Sequence, residues 1–287
     1  MTGLIPLTVG PEHLQAANGL RSLVLSTGMV TGPAVAGVLI ATAGPGYALA
    51  VDAATYAVSA AALAGLRPRV PDPEDADGTD PGFLAQLRAG FAEVRSRTWV
   101  WAGLVGIAVY HVVLPSIFVL GPVLADRELD GASSWAVITV GFGVGAIVGD
   151  LVVIRLRLSR PMLVSCCGLA VASCQALIVG SGFPVAVIAV LDGVTGVAVS
   201  LYFTLWELSL QQHIPPAAIS RVSSYDYLAS GGLMPVGLAL AGPAEAAFGL
   251  HATLHAMTLI AVPFALVLMA LPAVRALRAL DAVPAAP

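Results

Sequence analysis

The chain has 287 residues, of which 58% are hydrophobic and only 10% are charged, and its 13 basic residues are all arginine. A soluble domain normally carries about 25% charged residues, so this chain has too few polar side chains to cover a water-facing surface. Composition therefore excludes an ordinary soluble protein and indicates a chain that is solvated by lipid. The formal net charge of −4 decides little, because the placement of the charges matters more than their sum.

Eight apolar stretches are long enough to cross a bilayer, since a membrane helix needs about 20 apolar residues. In chain order they cover 20–43, 46–66, 99–125, 134–156, 161–181, 184–210, 222–247 and 250–273. Short separators rich in turn-forming residues divide them, as at Gly44-Pro45-Gly46. The sequence therefore predicts an all-α integral membrane protein with about eight transmembrane helices.

The one long polar segment of the sequence is 67–97. Its first half, RPRVPDPEDADGTDPG, is rich in Pro, Asp and Gly and is typical of a flexible linker. Its second half places Leu87, Phe91 and Val94 at helical spacing, which predicts an amphipathic helix at the membrane surface. A small soluble domain is the alternative, but about 30 residues can hardly bury a core.

The arginines predict the orientation, because cytoplasmic loops of membrane proteins carry an excess of basic residues. Twelve of the 13 arginines fall in positions that alternate consistently onto one side of the membrane, and only Arg127 falls on the other side. This distribution predicts that both termini and the 67–97 segment are cytoplasmic. It also supports the number of spans, because losing one span would scramble the alternation.

Residues 11–50 resemble residues 216–255 at a constant offset of 205, with 10 identities in 40 positions. Transporters are often built from two parallel repeats. We therefore expect the last two helices of a first six-helix repeat, a linker, a complete second repeat and a tail. These parts are 1–66, 67–97, 98–275 and 276–287, respectively. On this interpretation the chain is N-terminally truncated, and the first four helices, about 120 residues by the repeat period, do not belong to it.

The first span contains small residues at spacings that let helix backbones approach closely, together with a proline that kinks the helix. These residues are Gly19, Gly28, Gly32, Pro33 and Gly37. The stretch GLRSLVLSTGMVTGPAVAG resembles the antiporter motif in the fifth helix of the major facilitator superfamily, with Ala36 in place of one usual glycine. A tightly packed helix pair is expected in either case, and the resemblance implies efflux rather than uptake.

A second, looser match lies between spans four and five, in GAIVGDLVVIRLRLSRP. Here Gly145, Gly149, Asp150, Arg155 and Arg157 stand where the superfamily carries a cytoplasmic gating loop with a Gly/Asp/Arg motif. The glycines would permit close helix contact, and Asp150 would pair with a nearby arginine to stabilise the inward-closed state. A plain basic anchor for the cytoplasmic face is the alternative.

The wider pattern, PEHLQAANGL and then GYALAVDAATYAVSAAALAGLRPR, resembles the drug:proton antiporter branch that includes macrolide and enterobactin exporters. The resemblance covers essentially the whole chain and implies that its spans are equivalent to helices 5–12 of a major-facilitator-type bundle. It implies proton-coupled efflux of small hydrophobic or amphipathic substrates across the cell membrane by alternating access. The partners are then the lipid bilayer, the substrate and protons, and no nucleic acid is expected.

Few ionisable residues lie within the spans, and a charge buried in lipid costs at least ~2.5 kcal/mol, so such residues usually face a cavity or a partner. Asp192 is the first candidate for a carboxylate that binds a proton or cation. Asp52 lies near the outer end of its helix, where capping or snorkelling is the alternative. His111 is explained equally well by a neutral core histidine or by a proton relay. Glu207 is expected to be solvated near the cytoplasmic mouth.

Three aromatic residues cluster on span six: Tyr202, Phe203 and Trp206. Such residues can line an apolar drug cavity. An interfacial aromatic belt is the preferred explanation, because Trp and Tyr are enriched at both membrane surfaces.

The sequence lacks the signatures of enzymes and metal sites. Cys166, Cys167 and Cys174 share one apolar stretch without the spacing of a zinc site or a disulfide framework, and we interpret them as packing residues. There is no H-E-x-x-H, no G-x-S-x-G and no pair of mid-helix aspartates. We therefore expect no catalytic residue, no metal and no cofactor. The alternative to a transporter is a non-transporting remnant or membrane scaffold that needs a partner polypeptide.

Overall fold

The computed structural model describes residues 5, 9–10, 13–65 and 83–280, and in this part of the chain all regular secondary structure is helical. The helices are α1 Leu14–Ala43, α2 Pro45–Ala64, α3 Phe83–Ser96, α4 Thr98–Val113, α5 Ile117–Glu128, α6 Ala132–Arg155, α7 Pro161–Ala172, α8 Gln175–Val179, α9 Val185–His213, α10 Pro216–Tyr227, α11 Met234–Phe248, α12 Leu250–Ala270 and α13 Pro272–Arg275. Most of the predicted linker and the end of the predicted tail lie outside the described residues.

Seven helical segments of the described residues are long and apolar enough to cross a membrane. They are Gly46–Ala64, Thr98–Glu128, Ala132–Arg155, Pro161–Val179, Val185–His213, Pro216–Phe248 and Leu250–Ala270. Helix α1, with 30 residues, covers the remaining predicted span, 20–43. The predicted all-α integral membrane fold is confirmed.

Three of the predicted spans are interrupted where the sequence suggested continuous helices. A 3-10 turn at Leu114–Ser116 separates α4 from α5, because Pro115 has no N–H to continue the helical hydrogen bonding. The fifth span breaks between α7 and α8. A π-helical turn at Leu228–Gly232 separates α10 from α11, and the helical segment begins at Pro216 rather than at 222.

Helices α6 and α9 pack backbone to backbone through glycines. A methyl group at Gly145 would lie 1.8 Å from the carbonyl oxygen of Gly193, and one at Gly141 would lie 2.4 Å from that of Ala189. Small residues at every fourth position are what such close approach requires in membrane helices. The α6–α9 pair therefore forms a closely packed unit, against which α1 and α7 pack.

Helix α1 packs against this unit through its N-terminal half. A methyl group at Gly19 would lie 2.5 Å from Cγ1 of Ile154 on α6. Helix α2 contrasts with α1, because no residue in its apolar stretch Gly46–Ala64 is buried. Helix α2 contacts α1, but an apolar helix with so little protein around it needs lipid or another protein surface on its other sides.

Helix α3 lies within the segment 67–97, where an amphipathic helix was predicted, and it packs on α10. The hydroxyl group of Tyr225 donates a 2.8 Å hydrogen bond to the carbonyl oxygen of Leu87. The rings of Phe91 and Tyr225 lie 6.2 Å apart between centroids. The location of α3 at the membrane surface stays a prediction.

Candidate functional site

A cavity of about 420 Å³ lies between α1, α4, α6 and α9. One side of it is aromatic, and another carries an ion pair and a buried amide. The lining residues on which the following argument depends are Asn18, Arg21, Tyr110, His111, Phe203 and Glu207. Apolar walls with a few convergent polar groups are typical of small-molecule sites.

Three interlocked rings form the aromatic side of the cavity. The centroid of the His111 ring lies 5.3 Å from that of Tyr110 and 5.5 Å from that of Phe203. Atom Nδ1 of His111 also lies 3.0 Å from the carbonyl oxygen of Ile107 in the preceding helical turn. His111 therefore combines the hydrogen bond expected of a core histidine with the cavity position expected of a relay.

The other two aromatic residues of span six lie in the protein core and form no interfacial belt. The exposed fractions of Tyr202 and Trp206 are 2% and 1%. Trp206 packs edge to face on Trp99 at a centroid distance of 5.9 Å, and its Nε1 donates a 2.8 Å hydrogen bond to Oδ1 of Asp226. The preferred belt explanation is wrong for both residues, because the indole finds its polar partner inside the protein. Phe203 alone of the three lines the cavity.

Glu207 forms an ion pair with Arg21, with 2.5 Å between Oε2 and Nη1. The exposed fractions of the two side chains are 34% for Arg21 and 18% for Glu207. The expectation that Glu207 is solvated is therefore wrong. Its carboxylate joins α9 to α1 at the wall of the cavity.

Two buried amides extend the contact between α1 and α9. Nδ2 of Asn18 donates to Oε1 of Gln211 at 2.5 Å, and Nε2 of Gln211 donates to Oδ1 of Asn18 at 3.1 Å. Nε2 of Gln15 donates to the carbonyl oxygen of Val153 on α6 at 2.6 Å. Since these α1 residues and Arg21 are three positions apart, they lie along one face of the helix.

Asp192 is buried in the middle of the bundle, with an exposed fraction of 1%. Its Oδ1 accepts a 2.8 Å hydrogen bond from Oγ1 of Thr195, and the side chain of Gln175, which lines the cavity, also hydrogen bonds to it. Among the described residues, no arginine or histidine forms an ion pair with Asp192. A carboxylate without a cation inside a membrane helix usually marks a site for a proton or a cation.

Asp52 is not brought to the cavity. It lies on α2, where its side chain is exposed, and its main-chain oxygen accepts a 2.7 Å hydrogen bond from Oγ1 of Thr55. The three candidate proton-binding residues are thus divided: Asp192 and His111 lie at or directly behind the cavity wall, whereas Asp52 lies on the outer surface of the described structure.

The Gly/Asp/Arg match is located in a helix rather than in a loop. Gly145, Gly149, Asp150 and Arg155 all belong to α6. Asp150 is completely buried and accepts a hydrogen bond from Oγ of Ser200 on α9. The expected ion pair with an arginine is not formed within the described residues.

The glycines of this match contact protein backbone, and the arginines do not pair with Asp150. Gly149 approaches the backbone of Val197, at 2.8 Å from an added methyl group to the carbonyl oxygen. Arg155 and Arg157 are exposed. The predicted loop location is therefore wrong for the glycines, because their close contact requires two helices in register.

The glycines of the antiporter-like motif in α1 are only partly in contact. Gly19 meets Ile154 closely, but added methyl groups at Gly28 and Gly32 would find no atom within 4 Å among the described residues. The surroundings of Pro33 and Gly37 lie outside the described part of the structure. The expected tight helix pair is thus seen at the start of the motif.

Sequence reasoning missed three polar residues near helix ends: Asn18, which lines the cavity, and Gln211 and Asp226, which hydrogen bond to Asn18 and Trp206. Asn18 and Gln211 lie outside or at the margin of the predicted spans, and Asp226 was not among the candidate ionisable residues. A usable signal was present for Asp226, because it lies within the span predicted from 222 to 247. Asn18 and Gln211 become informative only when the packing of α1 on α9 is known.

Comparison with known proteins identifies the family. The sequence profile described as transmembrane secretion effector matches residues 2–287. The chain belongs to this family. The transmembrane secretion effector family is part of the major facilitator superfamily, as the sequence resemblance implied.

The chain is similar to two kinds of protein that are named for efflux. The chain is 29% identical over 262 residues to the multidrug efflux pump Tap of Mycobacterium tuberculosis, covering 88% of this chain and 61% of the relative. It is 28% identical over 261 residues to Tap of Mycolicibacterium fortuitum, covering 86% and 60%. It is 24% identical over 247 residues to macrolide efflux protein A of Streptococcus pyogenes, covering 84% and 60%.

The chain thus spans about three fifths of the length of these relatives. No solved structure matches it. Its family consists of membrane transporters and not of enzymes.

Proposed function

We propose that this chain is a proton-coupled exporter of drugs or hydrophobic metabolites that works by alternating access. The observation that carries the proposal is the cavity of about 420 Å³ at the contact between α1 and the α6–α9 pair. Its aromatic wall suits an apolar or amphipathic substrate. The relatives are named as efflux proteins, and this supports transport out of the cell.

Asp192 is the proposed proton-binding group, with His111 as a relay toward the cavity. Burial of Asp192 and its hydrogen bond to Gln175 support this assignment. Gln175 lines the cavity, so it connects the carboxylate to the space in which the substrate would bind. Asp52 is the third candidate, and its exposure on α2 makes it the least supported.

Alternating access is proposed to move α1 against the α6–α9 pair. The α6–α9 contact is made between backbones, which do not slide easily past each other. The contact of α1 instead uses side-chain hydrogen bonds and an ion pair, which can break and re-form individually. In this scheme Gly28 and Gly32 provide the smooth face on which α1 closes, and Gly149 and Asp150 keep α6 fixed to α9.

The proposed orientation places both termini, the 67–97 segment, Arg155 and Arg157 in the cytoplasm of a cell-membrane protein. The arginine distribution supports it. The eight helices are proposed as equivalents of helices 5–12 of the superfamily, with 1–66 belonging to the first repeat and 98–275 forming the second.

A second candidate is a chain that transports only with a partner polypeptide. The lack of buried residues in the apolar stretch Gly46–Ala64 of the described structure favours it, because a helix surface of this size can accept protein as well as lipid. Both candidates use the same cavity and the same Asp192. They differ in whether the chain acts alone.

Drug accumulation in cells tests the proposal. Cells expressing the chain should accumulate less ethidium or erythromycin than cells with an empty vector, and a protonophore should remove the difference. Unchanged accumulation with verified membrane insertion would contradict transport by this chain alone. Restoration of transport by co-expressing the first four helices of a relative, about 120 residues, would support the second candidate.

A further inference from the structure

The ion pair between Arg21 and Glu207 has an unusual position for a structural contact, since both side chains line the cavity. Its single described contact joins Nη1 to Oε2 at 2.5 Å. The Arg21 side chain is about a third exposed. Water that reaches the guanidinium screens its attraction to Glu207, so the pair is weaker than a fully buried one. A cation that reaches Glu207 from the cavity can therefore compete with the guanidinium for this carboxylate.

The neighbouring wall favours a positively charged ligand. The rings of Tyr110 and Phe203 lie 5.7 Å apart in an edge-to-face arrangement. Aromatic faces carry negative electrostatic potential, and they attract organic cations within about 6 Å of the ring centre. An apolar cation would thus gain contacts both with the rings and with the carboxylate of Glu207.

The acidic residues behind the cavity wall also favour a positively charged ligand. Asp150 is hydrogen bonded to Ser200 and Asp192 to Gln175, and both Ser200 and Gln175 line the cavity. Arg21 is the only arginine among the lining residues that the structure describes. Acidic groups therefore outnumber arginines around the cavity, which excludes anions more strongly than cations.

We propose that Glu207 is the binding carboxylate for an organic cation with an apolar aromatic body, and that this cation displaces Arg21. The proposal rests on the function proposed above and names its substrate class. Displacement has a structural consequence, because Arg21 is one of the α1 residues that hold this helix to α9. Release of Arg21 leaves Gln15 and Asn18 as the described side-chain hydrogen bonds from α1 to α6 and α9. Substrate binding thus weakens the contact that alternating access must break.

Equilibrium binding to the full chain in lipid nanodiscs tests this assignment. The probes are radiolabelled tetraphenylphosphonium, a permanent aromatic cation, and triphenylphosphine oxide, its neutral relative. Glu207→Gln is expected to weaken tetraphenylphosphonium binding by roughly tenfold, or about 1.4 kcal/mol, and to leave binding of the neutral probe almost unchanged. Glu207→Asp should retain most of the affinity for the cation.

The direction of the change in tetraphenylphosphonium affinity in Arg21→Gln decides between displacement and a purely structural ion pair. Because it removes the competing cation, it should strengthen tetraphenylphosphonium binding by about two- to fivefold. If the ion pair were only structural, Glu207→Gln and Arg21→Gln would both weaken tetraphenylphosphonium binding. The matched control is Glu245→Gln, which breaks the 2.7 Å ion pair with Arg127 away from the cavity and should change neither probe.

Three results would overturn the assignment: no binding of the cation by the wild-type chain, equal loss of both probes in Glu207→Gln, or weaker cation binding in Arg21→Gln. Failure of the proposed export function is a separate result. It would be seen as unchanged, protonophore-insensitive drug accumulation in cells, whereas the nanodisc measurement requires no transport.

Discussion

Asn18 and Gln211 donate a hydrogen bond to each other, at 2.5 Å and 3.1 Å, inside the contact between α1 and α9. Both side chains are buried, with exposed fractions of 2% and 7%. A reciprocal amide pair of this kind requires one relative position of the two helices. It therefore specifies the arrangement in which the N-terminal half of α1 closes on the α6–α9 pair.

We expect Asn18→Ala to destabilise the chain, because it removes both hydrogen bonds with Gln211 in a buried position. The expected loss is about 1–3 kcal/mol, visible as a lower midpoint of thermal unfolding in detergent. The double variant Asn18→Leu/Gln211→Leu should recover part of this loss, since two apolar groups need no hydrogen bonds. A double variant that is less stable than Asn18→Ala would contradict the pairing.

The contact between α6 and α9 predicts the effect of adding one methyl group. Gly145→Ala should prevent folding or strongly reduce the yield of monodisperse protein, because the methyl carbon would lie 1.8 Å from the carbonyl oxygen of Gly193. Gly242→Ala is the matched control on α11, where an added methyl group meets no atom within 4 Å of the described structure. Size-exclusion profiles of the two variants should therefore differ, and identical profiles would contradict the close packing.

The aromatic side of the cavity predicts a substrate-binding residue. Phe203→Ala should weaken the binding of aromatic drugs by about threefold to tenfold, because it removes one of the ring faces in the cavity. Phe183→Ala is the control, since Phe183 lies in the connection before α9 and is 51% exposed. Fluorescence titration with ethidium compares them, and equal affinities for the two variants would remove Phe203 from the site.

The membrane spans were predictable because the bilayer imposes a length and a composition on every spanning helix. The predicted 134–156 and the observed Ala132–Arg155 agree closely for this reason. The breaks were less predictable. Pro115 interrupts its span between α4 and α5, whereas a proline of α12, Pro263, lies inside a continuous helix, so the residue type alone does not decide the outcome.

The residues of the candidate site were predictable only where an ionisable side chain lies within an otherwise apolar span. Asp192 and His111 stood out against apolar neighbours, and both lie at or directly behind the cavity wall. The Asn18–Gln211 pair joins residues 193 positions apart, and no local pattern encodes such a contact. Asp150 was assigned to a cytoplasmic gating loop by resemblance to the superfamily's Gly/Asp/Arg motif, but α6 continues through it to Arg155.

The proposed orientation predicts a labelling pattern. With Cys166, Cys167 and Cys174 replaced by alanine, a single cysteine at exposed Ser159, between α6 and α7, should be protected from a membrane-impermeant maleimide in intact cells. One at exposed Ala132, at the start of α6, should be labelled. Both sites should react after the cells are permeabilised. The opposite pattern would place the arginine-rich side outside the cell.

Proton coupling through Asp192 is the central claim, and substrate-driven proton movement tests it most directly. The chain is reconstituted into liposomes that contain a pH-sensitive dye, and a drug such as ethidium is added to one side. The account predicts that the wild-type chain moves protons in the direction opposite to the drug. The Asp192→Asn variant should lose this proton movement but still bind the drug. Asp126→Asn, at an exposed position near the end of α5, should behave as wild type. Proton movement that persists in Asp192→Asn would contradict the assignment of this carboxylate as the coupling site.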